Sequence, residues 1–522
     1  MIRTAVAALL ALAAAGGCTA PTSLPCDDIT LPARGGAHML PGTYIDVPYA
    51  RRDDGPLHFD LFRHADDAKR PTAVVLRGGE GNSTIGERTS FVGQIVETLA
   101  DAGYQVVLPD YRSTSAADAT EDVGDLFQSL RCHAGRLGVD PDRVVLLGEH
   151  TGGDVALRLT ADLAARRRGR SARWPAPPRA TVSLGGTYRD IPTLADPTLL
   201  VHGSADTEVP VETPRGVCAT AEAAATCEVD AVDGASHRVE NWWPSQWAYK
   251  ARLVAWLEQH VGTAPAPAFP ENARLRKRVT FDEVNGLTLD AYVPEGPGPF
   301  AAAILVHGGG WEAGDRVTYI TPLFRPLAER NIAWFSIDYR LTPAVDNEAQ
   351  VDDVARAVSF VREHAAAFRV DPDRLVLVGE SASAQLVSLL AVRRTPVAGV
   401  VSFYGVYDLL AMSGDPASPR SLARRLFGIS TLDEAARATL RAHSPRFLVH
   451  SEMPPLLLIT GTGDGLYGQA RDFEAALREA GASFDAVALP GAPHGMEQWN
   501  ADGRWRTWST QVVDWIEGVT RR

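Results

Sequence analysis

Val370-Asp371-Pro372-Asp373-Arg374-Leu375-Val376-Leu377-Val378-Gly379-Glu380-Ser381-Ala382-Ser383 is the stretch that decides how this chain is read. Residues 375–378 form a short apolar run set between Pro372 and Gly379, the mark of a buried strand. Residues 384–392 behind it are apolar and rich in Ala and Leu, which suits a helix. Only a sharp turn can join the two, and Ser381 stands at its middle. The same pattern occurs earlier as Val139-Asp140-Pro141-Asp142-Arg143-Val144-Val145-Leu146-Leu147-Gly148-Glu149. Pro109-Asp110-Tyr111-Arg112 likewise recurs as Ile337-Asp338-Tyr339-Arg340, and His202-Gly203-Ser204-Ala205-Asp206 as Thr460-Gly461-Thr462-Gly463-Asp464. Matches in one order, at widely separated positions, mean two related domains rather than a short-period solenoid.

The second copy sets the fold class. Apolar runs at 302–306, 332–337, 375–378 and 456–459 alternate with helical spacing, as in Val351, Val354, Val358 and Val361 across 351–368. Such alternation implies right-handed crossovers and an α/β architecture: two tandem domains, each a mostly parallel sheet with helices on both faces. The Pro/Ala-rich segment 262–276 reads as an extended, semi-rigid linker between a first domain at 41–261 and a second at 277–522. The spacing between matched motifs widens between Gly379 and Asp464, so the second copy carries an insertion, placed at about 407–454. Most of its apolar residues, Leu422, Leu426, Phe427 and Ile429 among them, are expected to form the core of a small helical cap.

The chemistry-bearing residues fall after the expected strands, where sites in parallel sheets lie. Gly379-Glu380-Ser381-Ala382-Ser383 is G-x-S-x-G with serine in the last glycine place. A strand–turn–helix there lifts a serine hydroxyl clear of the sheet as a nucleophile. His307-Gly308-Gly309-Gly310 follows the run 302–306, and consecutive glycines let backbone N–H groups converge on one point, as an oxyanion requires. The expected donors are Gly308, Gly309 and Ala382. An acid and then a histidine must follow in chain order. Asp464 and His494 do so on post-strand loops, whereas Asp485 lies on a strand and His443 and His450 in the insertion. A Ser381–His494–Asp464 triad needs neither metal nor organic cofactor.

With His307–Trp311, Asp338-Tyr339-Arg340-Leu341, residues 370–382, Phe403-Tyr404-Gly405, residues 461–464 and residues 490–495 in view, residues 277–518 resemble the α/β-hydrolase superfamily. The resemblance is to its carboxylesterase branch with H-G-G-G-W, near acetyl-xylan-esterase-like and hormone-sensitive-lipase-like enzymes. It implies two tandem α/β-hydrolase domains and a serine esterase acting on short-chain acyl or acetyl esters, the substrate being a small-molecule or carbohydrate acyl ester. The same triad also serves amide-directed hydrolases of the arylformamidase or peptidase kind. A non-catalytic binding protein is the third reading, which the intact constellation opposes.

The first copy has His150 where Ser381 stands, while Asp206 and His237 match the acid and the base. The glycine segment has become Arg77-Gly78-Gly79-Glu80-Gly81, whose carboxylate disfavours a negative transition state. This copy is therefore read as a degenerate, non-catalytic relative. His150, His237 and Asp206 form a set of metal-ligand type, but a triad acid is committed to its histidine, so no metal is expected.

The 522 residues have 45% hydrophobic and 22% charged content, which excludes a low-complexity or wholly disordered chain. A net charge of −13 argues against a nucleic-acid partner, and none is expected. Residues 1–17 read as a signal peptide, with Arg3 ahead of an apolar stretch too short to span a bilayer. Ala15-Gly16-Gly17-Cys18 resembles a bacterial lipoprotein signal, which implies cleavage before Cys18 and acylation there. The expectation is an exported protein: either a lipoprotein on the outer face of a bacterial membrane, tethered through 18–40 with no other membrane contact, or a secreted protein with a plain secretory signal cleaved nearby. Four cysteines then remain; Cys218 and Cys227 are neighbours across a helix-to-strand turn, and Cys26 with Cys132 follows by elimination.

Overall fold

The computed structural model describes Cys26, Ile29, Leu31 and residues 43–521, apart from 54, 65, 79–92, 113–114, 169–175, 195, 222–226, 238–245, 266–273, 419–420, 497–498, 500–504 and 506. The signal segment 1–17, Cys18 and Glu80 lie outside the described residues.

Each half of the chain builds one eight-stranded sheet. The first contains β1 (Tyr44–Arg52), β2 (Gly55–Phe62), β3 (Arg70–Leu76), β4 (Gln105–Pro109), β5 (Val139–Glu149), β6 (Ala180–Leu184), β7 (Thr198–Gly203) and β8 (Cys227–Val232). The second contains β9 (Leu275–Asp282), β10 (Leu287–Tyr292), β11 (Phe300–Val306), β12 (Ala333–Ile337), β13 (Val370–Glu380), β14 (Gly399–Phe403), β15 (Leu456–Gly461) and β16 (Phe484–Leu489). The spatial orders are β1-β2-β4-β3-β5-β6-β7-β8 and β9-β10-β12-β11-β13-β14-β15-β16, the same topology twice. The pairings of β1 with β2, β2 with β4, β9 with β10 and β10 with β12 are antiparallel; the others are parallel. These are two α/β domains of the same topology in tandem.

The continuous apolar runs are explained by burial on both faces. Along β13, Leu375 and Leu377 enter one apolar cluster and Val376 and Val378 the other. On β11, Ala302, Ile304 and Val306 alternate in the same way with Ala303 and Leu305. The register pairs Val306 with Gly379, so the two glycine-containing turns leave the sheet side by side.

Some boundaries differ from the sequence reading. The helix expected over 351–368 starts at Asn347, because the Asp346 carboxylate accepts the Ala349 N–H at 2.9 Å and caps it. It stops at Glu363, and a separate turn runs Ala365–Phe368 before Arg369 takes a left-handed conformation. β9 opens at Leu275, inside the segment read as linker. The start of that segment is docked rather than free: Arg70 donates to the Pro265 carbonyl at 2.7 Å, and Ala264 packs on the first core.

The insertion 407–454 folds into two short helices, Leu422–Phe427 and Glu434–Ala442, and a 3₁₀ turn, Pro445–Phe447. Leu426 is buried, and Leu422, Phe427 and Ile429 pack partly buried against the same core. Disulfides join Cys26 to Cys132 at the end of the helix Ala116–Cys132, and Cys218 in the helix Glu212–Ala219 to Cys227 at the start of β8.

Candidate active site

Ser381 follows the last residue of β13 with φ 54° and ψ −115°, a conformation few side chains adopt. The turn is held because the Ser381 N–H donates to the Phe403 carbonyl at 3.0 Å. Gly379 leaves no room for a side chain: an added Cβ would lie 2.6 Å from the Ser383 carbonyl oxygen and 2.9 Å from a Val387 methyl. Ser383, standing in a glycine position, is fully buried, and its hydroxyl donates to the Val306 carbonyl at 2.7 Å and accepts from the Glu380 N–H at 2.8 Å. It thereby ties the end of β13 to the end of β11. Ser381 makes no capping bond to its helix, so its hydroxyl is free to face a base.

The side chain that faces it is His494. Its Nε2 lies 2.9 Å from Ser381 Oγ, and its Nδ1 lies 2.7 Å from Asp464 Oδ2. The loops carrying Asp464 and His494 are joined through backbone: Thr462 N–H donates to the Leu489 carbonyl at 2.9 Å, and Gly463 N–H to the Ala492 carbonyl at 3.0 Å. A Cβ on Gly463 would lie 2.9 Å from the Gly491 oxygen, so this approach requires glycine. Asp464 is buried and its other oxygen accepts the Leu466 N–H at 2.8 Å. The Tyr404 ring meets the His494 ring edge-on at 4.6 Å between centroids, and the Tyr404 hydroxyl accepts the Met496 N–H at 2.9 Å. A serine, an imidazole and a buried carboxylate in this order can generate an alkoxide-like nucleophile.

One expected oxyanion donor is corrected. The Gly308 N–H donates to the buried Glu380 carboxylate, so it is engaged inside the protein and unavailable to a substrate. The N–H groups of Gly309, Gly310 and Ala382 have no acceptor among the described residues. Gly309 and Gly310 take φ of 98° and 63°, which only glycine adopts easily. Gly310, rather than Gly308, presents an unengaged N–H beside that of Gly309 among the described residues. Glu380 was legible only as the residue before the serine; nothing in the sequence reported that it turns back to hold the glycine segment.

The turn is anchored from behind. Trp311 donates from its indole to Gln385 at 3.0 Å, and its carbonyl accepts from Gln350 at 2.8 Å and from Thr342 at 2.9 Å. Gln385 also donates to the His443 carbonyl at 2.9 Å, which attaches the cap insertion to the helix behind Ser381. His307 is buried against Tyr339, ring centroids 4.4 Å apart, and burial pushes its imidazole down to about 4. Folded His307 is therefore neutral, whereas the unfolded chain takes up a proton near pH 6.5. Stability present above pH 6.5 is lost as pH falls towards 4, by about 3 kcal/mol from this group. His307→Asn is expected to flatten that acid limb when urea unfolding is compared at the two pH values; an unchanged difference between them would refute the assignment.

The first copy keeps the scaffold of the site. His150 has φ 50°, and its N–H donates to the Leu184 carbonyl at 2.9 Å, as Ser381 does to Phe403. Gly78 N–H donates to Glu149 at 3.1 Å, as Gly308 does to Glu380. His237 Nδ1 lies 2.8 Å from Asp206 Oδ2, and the His150 and His237 rings are 4.9 Å apart. Asp206 Oδ2 is also 3.0 Å from His202 Nε2. Among the described residues no group of three or more His, Cys, Asp or Glu side chains is arranged to hold a metal ion.

The repeated topology and the serine turn fit one family model, BD-FAE, which matches residues 59–167 and 289–477, together more than half of the chain. The chain belongs to the BD-FAE family. Its two matched segments fall one in each copy and end on either side of the linker. The chain is 32% identical over 219 residues to "Esterase LipQ" of Mycobacterium tuberculosis, covering 38% of this chain and 52% of that protein. It is 28% identical over 256 residues to "Versiconal hemiacetal acetate esterase" of Dothistroma septosporum, covering 44% of this chain and 75% of that one. It is 27% identical to "Probable isoprenylcysteine alpha-carbonyl methylesterase ICMEL1" of Arabidopsis thaliana, covering 42% and 51%. The chain spans about half the length of the first curated relatives it matches. Among solved structures, "Truncated form of carbohydrate esterase from gut microbiota" aligns over 49% of this chain and all of that one, at 21% identity and a TM-score of 0.42. The curated relatives that this BD-FAE member matches carry esterase names.

Proposed function

We propose that this chain is an exported carboxylic ester hydrolase that works through Ser381, His494 and Asp464 of its second copy, on short-chain acyl or acetyl esters. The observation that carries the reading is the unbroken contact from Ser381 Oγ to His494 to Asp464. His494 removes the Ser381 proton as Oγ attacks the ester carbonyl, and Asp464 stabilises the imidazolium that forms. The N–H groups of Gly309, Gly310 and Ala382 receive the oxyanion. Collapse expels the alcohol, which takes the proton from His494. Water, deprotonated by His494, then releases the acid and restores Ser381. The esterase names of the similar proteins support an ester over an amide.

Export rests on residues 1–18, where a lipid on Cys18 would tether the protein to a membrane surface, and two disulfides suit an oxidising compartment. The first copy, with His150 at its turn, takes no part in the chemistry. A panel of p-nitrophenyl acetate, butyrate and octanoate, acetylated xylan and N-formylkynurenine tests the reading. Turnover is expected on the acetate and butyrate esters. Turnover of N-formylkynurenine alone would replace it with an amide-directed hydrolase, and no turnover of any would remove it.

A further inference from the structure

Just past the glycine turn, the second copy enters the first. Val317 is fully buried and belongs to the apolar cluster of the first copy that holds Ile95, Leu99, Tyr249 and Leu253. Beside it Arg316 is also buried, and its guanidinium donates to Glu97, on the first copy's helix Gly93–Asp101. Arg316 further donates to Asp290 and to Asp338, both at 3.0 Å, and its carbonyl accepts the Ser336 hydroxyl at 2.7 Å. Lys277 joins the group, 3.1 Å from Glu97 and 2.7 Å from Asp290, and Arg278 Nε lies 3.6 Å from Glu97. A buried ion network of this kind adds little net stability compared with apolar packing, yet losing one member leaves a buried charge unmatched.

What the network fixes is the back of the glycine turn. Asp315 accepts the Val317 N–H at 3.0 Å, and its own N–H donates to the Thr318 hydroxyl at 2.7 Å, which locks residues 315–318. A Cβ on Gly314 would lie 2.6 Å from His307 Nδ1, and one on Gly309 would lie 3.1 Å from the Tyr319 ring. Residues 314–319 are thus packed directly against the segment that presents the Gly309 and Gly310 N–H groups.

We propose that the first copy serves the second as a positioning domain, with Glu97 acting through Arg316 to hold the anion-binding turn. This rests on the reading that Gly309 and Gly310 receive the oxyanion. Misplacing such donors by a fraction of an ångström weakens the transition state more than it weakens substrate binding. The test uses the full chain with Glu97→Gln, which keeps the volume and removes the charge. Active sites are counted by fluorophosphonate titration, kcat and KM are measured on p-nitrophenyl acetate, and inhibition by phenylboronic acid, whose boronate oxygen mimics the oxyanion, is measured alongside. The expected result is a kcat per titrated site lower by about tenfold, a KM within about twofold of wild type, and boronate inhibition weakened in proportion to kcat. If Glu97→Gln does not accumulate, Val317→Ala is read in the same way. An unchanged kcat per titrated site, with only the titratable fraction reduced, would show mere structural support and overturn the proposal. A wild-type chain that fails to titrate at all would instead remove the reading of Ser381, and this one with it.

Discussion

Ser381→Ala is expected to reduce hydrolysis of p-nitrophenyl acetate by a factor on the order of 10³ or more, with folding intact. The Ser381 hydroxyl makes the contact with His494 at 2.9 Å and gives no cap bond to its own helix, so its loss removes a nucleophile without removing a structural bond. The turn itself is held by the Ser381 backbone and by the Ser383 hydroxyl, both of which survive the substitution. Circular dichroism and the unfolding midpoint should therefore match wild type. Wild-type turnover in this variant would place the chemistry elsewhere in the chain.

Asp464→Asn is expected to lower kcat by roughly 10⁴, with KM little changed. Asp464 Oδ2 meets His494 Nδ1 at 2.7 Å, which holds the tautomer with its proton on Nδ1 and leaves Nε2 to accept the serine proton. An amide nitrogen placed there would donate rather than accept, and would turn the imidazole to the wrong tautomer. The residue is buried while His494 remains partly open, so the carboxylate acts as an orienting group more than a solvent-facing charge. Measuring kcat across pH would separate the two roles. A tautomer defect leaves the rate depressed at every pH, whereas a rate that recovers fully at high pH would mean that Asp464 only tunes the imidazole charge.

The fold could be read because its signals are local. Strands buried on both faces must be apolar throughout, so the runs at 302–306 and 375–378 announced β11 and β13. The repeat then supplied the first sheet from the second. Ser381, Asp464 and His494 were legible for a related reason: each follows a strand directly, and strand order brings their loops to one edge. What could not be read depends on where a group points after the chain has folded. Gly308 and Gly310 are alike in sequence, and only the return of Glu380 commits one N–H and leaves the other open. Arg316 and Val317 look like ordinary loop residues, since Glu97, which pairs with Arg316, lies 219 residues away and the cluster that holds Val317 belongs to the other copy.

The claim on which everything else stands is that one serine, in the second copy, is activated. The most direct measurement is to treat the full-length protein with a fluorophosphonate, measure its intact mass and map the modified peptide. A single adduct on Ser381, prevented by Ser381→Ala and unaffected by His150→Ala, is the result this account predicts. An adduct on another residue, or none on folded protein that still hydrolyses esters, would contradict it.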